Sequence, residues 1–376
     1  MVERVFVHIG LPKTATSYLQ TIIWSNRDTL RARGVVVPGA ERRDHLWASR
    51  TVREERSQSR APERHRTAWD RVRAELAQAD GTGLVSHEFF AAASAAQAVT
   101  MVAALAPAEV HLVVTAREPL GLFTASWQES LKNGSTTPMP EYARTVSERP
   151  TDIWNWRTLD LRLVLERWCT AVPAERVHVL VLDPGAPRED VWHRFAGIVG
   201  IPTDGIDLSG SFPNTSMGVA EAETLRRVNG RLQGFRSAFD RGVYIRTFLA
   251  DERLVPRRGE RFWPEPDQIE DCRRRGEEVL DFLRRTPVDV VGDADHLRVP
   301  DTLEPRRSTL SVTDDEVADV AVDLVARMLD DVRALRRAQG TGRRAGRSAP
   351  GRRERPGRLG RLGPLGRLGR LVNRAR

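Results

Sequence analysis

The sequence predicts an α/β protein of three layers, α/β/α, with a central parallel sheet and a mostly helical C-terminal half. Three observations predict it. Short apolar segments that alternate like strands recur at Arg4–Gly10, Val35–Val37, Leu84–His87, Glu109–Thr115 and Arg176–Leu182, with helical patterns between them. Strands that alternate with helices pair in parallel, with the helices packed on both faces. Beyond Ile201 the strand signal fades while helical periodicity continues. At 376 residues, 40% hydrophobic and 29% charged, the chain is long and apolar enough to bury a sizeable core.

Taken in order, RVFVHIG (Arg4–Gly10) places Val5, Val7 and Ile9 on one face of a strand. LPKTATS follows, then a helical run through Leu19, Ile22 and Ile23 that stops at Arg33-Gly34. Arg42–Arg66 is polar, charge-rich and weakly periodic, so a mobile loop or lid is expected there. Thr67–Ala79 reads as a helix, and Ala91–Ala106 as a helix dominated by alanine. After the strand EVHLVVT, Pro119 occupies a position that a first helical turn accepts. Leu120, Phe123, Trp127 and Leu131 then step by 3, 4 and 4 before Asn133-Gly134. Leu159–Val172 and Glu189–Val199 are helical, as are Gly218–Gly234, Ile269–Arg285 and Asp314–Arg337. The last opens on Thr313-Asp-Asp-Glu316, the spacing of a capping box. Its residues Val317, Val320, Leu324, Met328, Val332 and Leu335 predict one buried face. The expected organisation is one α/β domain over residues 1–340, of which 201–340 is the mostly helical part, and a disordered basic Gly/Arg/Leu tail over 341–376.

The net charge of +8 conceals an uneven distribution. Residues 341–376 carry twelve Arg and one Glu, a net of +11, so the first 340 residues sum to −3. The basic character belongs to the tail and gives no reason to expect specific nucleic-acid binding by the folded part. Weak contact of the tail with an anionic membrane stays open. The two cysteines, Cys169 and Cys272, have no ligand spacing, which leaves out a disulfide scaffold and a zinc site. With no long apolar run at the N-terminus, a soluble cytoplasmic protein is expected.

Only two of the 59 basic residues are lysines, Lys13 and Lys132. A lysine kept in so arginine-rich a chain suggests a site that wants a compact ammonium. Lys13 lies in LPKTATS, between a strand and a helix. Such a loop offers free backbone N–H groups and the positive end of a helix dipole to an anion. Thr14, Thr16 and Ser17 add hydroxyls. The spacing from Gly10 to Lys13 is too short for GxxxxGK[ST], and the strand HLVVT leads into Ala116-Arg117 where a magnesium-binding Asp would belong. The pattern points to a metal-free anion site.

HIGLPKTATSYLQ resembles the 5′-phosphosulfate-binding loop of sulfotransferases that use 3′-phosphoadenosine 5′-phosphosulfate (PAPS), and VVTAREPLGLFTASWQESLKNG resembles their 3′-phosphate-binding strand–turn–helix. The chain is similar to bacterial, actinobacterial-type members of that family over roughly Val5–Arg337, including VPAERVHVLVL and NTSMGVAEAETLRRVN. The resemblance implies a P-loop-NTPase-like layout and PAPS as cofactor, with PAP as product. It implies that Gly10, Lys13, Thr14, Ala15, Thr16 and Ser17 surround the 5′-phosphosulfate and that Lys13 reaches the bridging oxygen of the leaving group. Ala15 stands where the family often has glycine, which requires right-handed backbone at that position. Arg117 is implied to bind the 3′-phosphate. The family's partner serine falls on Ala125, so Ser126, or Thr124 on the other side, is expected to supply the hydroxyl.

The implied activity is metal-free in-line transfer of a sulfuryl group to a hydroxyl, or an amine, of a small molecule or glycan. Lys13 and the helix N-terminus would stabilise the charge that grows on the departing phosphate. Ser86-His87-Glu88, at another strand end, offers a general base. The cytosolic members point to His87, the bacterial Ser-x-Glu pattern to Glu88, and both stay open. Lys132, Trp154, Trp156 and Arg257-Arg258-Gly259 each have a plain packing or ion-pair reading beside a role at the site. Two other functions are compatible with the sequence: an ATP-dependent phosphotransferase on the same layout, and a non-catalytic nucleotide-binding or membrane-associated protein.

Overall fold

The computed structural model describes residues 1–210, 216–235 and 237–345, the last six as helix backbone only. The chain divides into two compact units. One is formed by Met1–Trp127, Pro140–Asn214 and Pro264–Glu304, the other by Gln128–Met139, Thr215–Trp263 and Pro305–Arg376.

The first unit holds a six-stranded sheet whose strands are all parallel. Strands β1 (Arg4–His8), β2 (Val35–Val36), β3 (Thr82–Ser86), β4 (Glu109–Ala116) and β5 (Val177–Val181) match the five expected segments. With β6 (Phe262–Trp263) lying in the other unit, the sixth strand of the sheet is β7 (Asp289–Val291), and the order is β2-β3-β1-β4-β5-β7. This is the three-layer α/β arrangement with a parallel sheet that the sequence predicts. Alternation buries both faces. Phe6, Leu84, Val113 and Leu180 meet Leu19, Ile22, Ile23, Trp192 and Phe195 from the helices Thr16–Ser25 and Asp190–Val199. Val5, Val7, Leu112 and Val114 point to the other face and are equally buried.

The central position of β1 sets up the site. Its pairing runs on past His8, with Ile9 N–H donating to Val113 O at 2.9 Å and Leu11 N–H to Thr115 O at 2.8 Å. On the other side His87 N–H donates to His8 O at 3.0 Å. The carboxyl ends of β3, β1 and β4 therefore lie side by side, where open α/β sheets place their ligands.

The stretch expected as a mobile loop, Arg42–Arg66, is instead folded into the helix Arg43–Val52 and shorter helical turns at Arg56–Arg60 and Glu63–Arg66. Its polar composition is explained by polar partners. Asp44 binds Arg71 at 2.7 Å, buried His45 donates to Pro38 O, and Trp47 stacks on His65 at 3.8 Å.

In the second unit, ion pairs join Lys132 to Asp251, Arg246 to Glu129, and Arg257 to Glu221 and Asp323. The short strand β6 pairs with β8 (Arg307–Ser308). The capping box of the last helix forms, with Glu316 N–H on Thr313 Oγ1 at 3.2 Å and Thr313 N–H on Glu316 at 2.8 Å. That helix, Asp314–Ala345, covers the first five residues assigned to the tail, and the remaining tail, 346–376, lies outside the described residues. Its expected buried face is a correction. Val320 and Leu324 are buried, whereas Met328 and Val332 are exposed, because steps of four residues drift round a helix of 3.6 residues per turn and carry these positions to its solvent side.

Candidate functional site

The loop after β1 is held from beneath by a buried polar network. His8 bridges the Ser86 hydroxyl (2.8 Å) and the Thr115 hydroxyl (3.3 Å), and Thr115 meets the Thr14 hydroxyl at 2.7 Å. Thr14 Oγ1 also donates to Leu11 O. Gly10 passes directly over this network at φ +20°. A Cβ there would come within 2.5 Å of Thr115 Oγ1 and Thr16 Cγ2 and 2.9 Å of His8 Nε2. Burial pushes the His8 imidazole down to about 4, so it is neutral at pH 7.

Above the network the backbone turns left-handed at Lys13 (φ 69°) and Ala15 (φ 61°). The right-handed backbone expected at Ala15 is thus corrected. The turn demands what glycine gives freely, and alanine adopts it at a cost of about 1–2 kcal/mol. Ala15 is the N-cap of the helix Thr16–Ser25, and no described side chain caps it. The first turn, Thr-Ser-Tyr-Leu, has no acidic residue, so no carboxylate of the turn offsets the positive dipole end; the Tyr18 and Leu19 amides donate to Ala15 O at 3.0 and 3.1 Å. Lys13 is partly exposed at this point, Ser17 is exposed, and the Thr14 and Thr16 side chains are buried. The Thr14 hydroxyl is spent on the loop itself, which leaves its backbone amide for a ligand.

One strand over, β4 leads into Arg117, whose guanidinium is 39% exposed and 3.0 Å from Glu118. Glu118 accepts the Gly121 N–H at 2.8–2.9 Å through both oxygens, capping the Pro119–Lys132 helix. The carboxylate at this corner is therefore committed to the backbone. Ser126 is fully buried and bonds Tyr142 Oη at 2.7 Å. Thr124 and Ala125 are partly exposed, at the helical spacing that returns to the Arg117 side.

On the other flank, His87 and Glu88 follow β3. His87 Nδ1 accepts the Phe89 N–H at 3.1 Å. Because a backbone amide can only donate, the neutral ring carries its proton on Nε2. Burial, opposed by Glu88, brings His87 down to about 4. For Glu88 burial acts upward, but the His87 ring, a backbone amide, the Gln20 amide and Arg42 outweigh it and hold the carboxyl below its ordinary value. Gln20 donates to Glu88 Oε2 at 3.0 Å, and Arg42 holds Gln20 Oε1 at 2.9–3.2 Å. These supports escaped the sequence reading. Gln20, a polar residue among the buried positions of its helix, was the available signal. Beside the pair, partly exposed Trp154 packs edge-on against Phe89 at 6.0 Å, while Trp156 is buried under Phe123 and Arg275. Lys132 and Arg257 are occupied in the ion pairs of the second unit described above.

A cavity of about 180 Å³ opens next to Ala15 and Tyr18 at the end of β5. A larger one of about 310 Å³, around Met1, Val2 and Leu105, sits at the opposite end of the strands and has none of these groups. Among the described residues no helix is long and apolar enough to cross a membrane. No family model and no curated protein matches the chain. Among solved structures, a sulfotransferase from Alicyclobacillus acidocaldarius is similar, with 18% identity, a TM-score of 0.38, and coverage of 55% of this chain and 85% of that one. At that distance the functional reading rests on the chain's own residues.

Proposed function

We propose that the chain transfers a sulfuryl group from PAPS to a hydroxyl, or an amine, of a small molecule or glycan. The observation that carries this reading is the uncapped, acid-free helix N-terminus beside Lys13, with Arg117 at the neighbouring strand end: two cationic anion sites on adjacent crossover turns. The residues fit a nucleotide with phosphate at both ends. Gly10 lets the backbone pass close, the amides of the first helical turn suit a 5′-phosphate, and exposed Arg117 suits a 3′-phosphate.

When bound, PAPS supplies a sulfuryl group activated by its phosphate leaving group. Lys13 and the helix amides stabilise the negative charge that develops on the leaving oxygen. Ala15 contributes its amide rather than its side chain, and Ser17 a hydroxyl. Thr124, in place of Ser126, is the hydroxyl nearest in helical phase to Arg117. Glu88 is the general base. It is ionised at neutral pH and Gln20 fixes one of its oxygens, which leaves the other to take a proton. His87 lacks that capacity, since one ring nitrogen accepts the Phe89 amide and the other carries the hydrogen. A carboxylate is basic enough because the acceptor hydroxyl becomes far more acidic as its oxygen bonds to sulfur. Phe89 and Trp154 offer an apolar wall beside the base for the acceptor. An ATP phosphotransferase is disfavoured by the commitment of Glu118 to its helix cap.

The test is release of PAP, and sulfation by mass, from PAPS with a panel of phenols, alcohols and amino sugars. Glu88→Gln should lower kcat by about 10²–10⁴ without weakening PAP binding, and His87→Gln far less. Failure of the unsubstituted protein to bind PAP would overturn the reading.

A further inference from the structure

The last helix presents an apolar stripe to solvent on the side away from its own unit. Val322, Val325, Met328, Leu329 and Val332 are 41–68% exposed, whereas Val320 and Leu324, on the opposite side, are buried. The inner side is also pinned by ion pairs of Asp323 with Arg257 and of Asp331 with Arg253. Val322, Val325, Leu329 and Val332 are spaced 3, 4 and 3, the a/d spacing of a two-helix seam. A stripe of this kind on a well-anchored helix marks an interaction surface.

Charge along the helix selects the partner. Asp314, Asp315, Glu316, Asp319 and Asp323 fill its first three turns with no cation among them, while Arg333, Arg336 and Arg337 lie in the later turns. A parallel copy would set acid against acid. An antiparallel copy sets acid against base, and the apolar positions agree with it. Centred beside Arg327, such a pair places Val322 against Val332 and Val325 against Leu329 in both halves at once. Small Ala326 lies on one side of the two-fold axis and Met328 on the other. Asp319 of each copy meets Arg333 of its mate, both exposed and both at the e position, and Arg336 falls opposite Ala318, between Asp315 and Asp319. Arg327 itself stays on the far side, bound to Asp323 at 3.0 Å.

We infer that this face binds a second copy of the chain, as an isologous antiparallel pairing of the two Asp314–Ala345 helices. An anionic lipid surface is a poorer occupant, because the acidic half of the helix flanks Val322 and Val325. The inference is independent of the proposed activity.

Sedimentation of the full chain over a range of concentrations tests it. A reversible dimer is expected. Leu329→Asp should raise its dissociation constant by about a hundredfold, since two charges enter the apolar seam, with thermal melting unchanged at concentrations where both proteins are monomeric, because Leu329 is exposed. Asp319→Arg and Arg333→Asp should each weaken the dimer about tenfold, and the two together should restore it, as only the antiparallel register allows. A full chain that stays monomeric overturns the inference. So does one that dimerises only after residues 346–376 are removed, which would assign the stripe to the tail, or one that stays monomeric and binds anionic vesicles through Leu329. A dimer indifferent to these substitutions overturns it as well.

Discussion

The two cationic turns of the candidate site, after β1 and after β4, solve the same problem by opposite means. At the first, the helix N-terminus is uncapped, its turn has no acid, and the backbone is bent left-handed at Lys13 and Ala15; in the proposed function the main chain itself is the receptor there and Lys13 adds a charge. At the second, Glu118 already satisfies the Gly121 amide, and only the Arg117 side chain remains to meet an anion. The comparison teaches that removing one side chain should leave half a site at the first turn and almost none at the second.

Lys13→Ala should therefore produce the largest effect, a fall in kcat of about 10²–10³ typical of a lost charge-stabilising donor, with a milder loss of PAP affinity because the amides persist. Arg117→Ala should reverse the emphasis. Titration calorimetry should show PAP affinity reduced about 10–100-fold, from the ~1.5–3 kcal/mol of a hydrogen bond to charge. Binding of adenosine 5′-phosphosulfate, which lacks the 3′-phosphate, should be untouched. Equal losses for both nucleotides would break the comparison.

Acid should act on the foundation of the first turn. His8, like His45 and His87, is held by burial near pH 4 against 6.5 for an ordinary imidazole. The unfolded chain takes up protons from pH 6.5 downward while the folded chain does not, so stability is full above that value and declines toward about pH 4. Melting temperatures across that interval measure it, and a flat profile would contradict the buried network. At the second turn, Ser126→Ala should cost about 1 kcal/mol of stability through the lost Tyr142 bond and leave PAP affinity unchanged, whereas Thr124→Ala should do the converse. The smallest effect is a gain. Ala15→Gly should stabilise the protein by about 1 kcal/mol by relieving its left-handed backbone, read as a modest rise in melting temperature.

Much of this was legible in the residues. Five strands stood out because Val, Ile and Leu concentrate where a parallel sheet is buried on both sides. The sixth, Asp289–Val291, did not, since three edge residues, one exposed and two partly exposed, make no pattern. Lys13 and Arg117 announced themselves by sitting at strand exits. Sequence distance did not reveal that Ser126 lies on the covered side of its helix, where it bonds Tyr142, sixteen residues later. The proposal of Glu88 over His87 as the base rests on one backbone amide, that of Phe89, which no side-chain pattern encodes. Met328 and Val332 of the last helix were read as core because steps of four residues drift round a helix of 3.6 residues per turn, away from the buried side of Val320 and Leu324.

The helical build of residues 43–66 has a consequence for how the site works. Arg42, at its threshold, grips Gln20, which grips Glu88, while His45 accepts the Ser86 amide at 3.1 Å. The segment is thus tied by hydrogen bonds to the strand end that carries Glu88, the base of the proposed reaction. Under the proposed function, changes in its outward residues should alter acceptor preference while Glu88 keeps its supports.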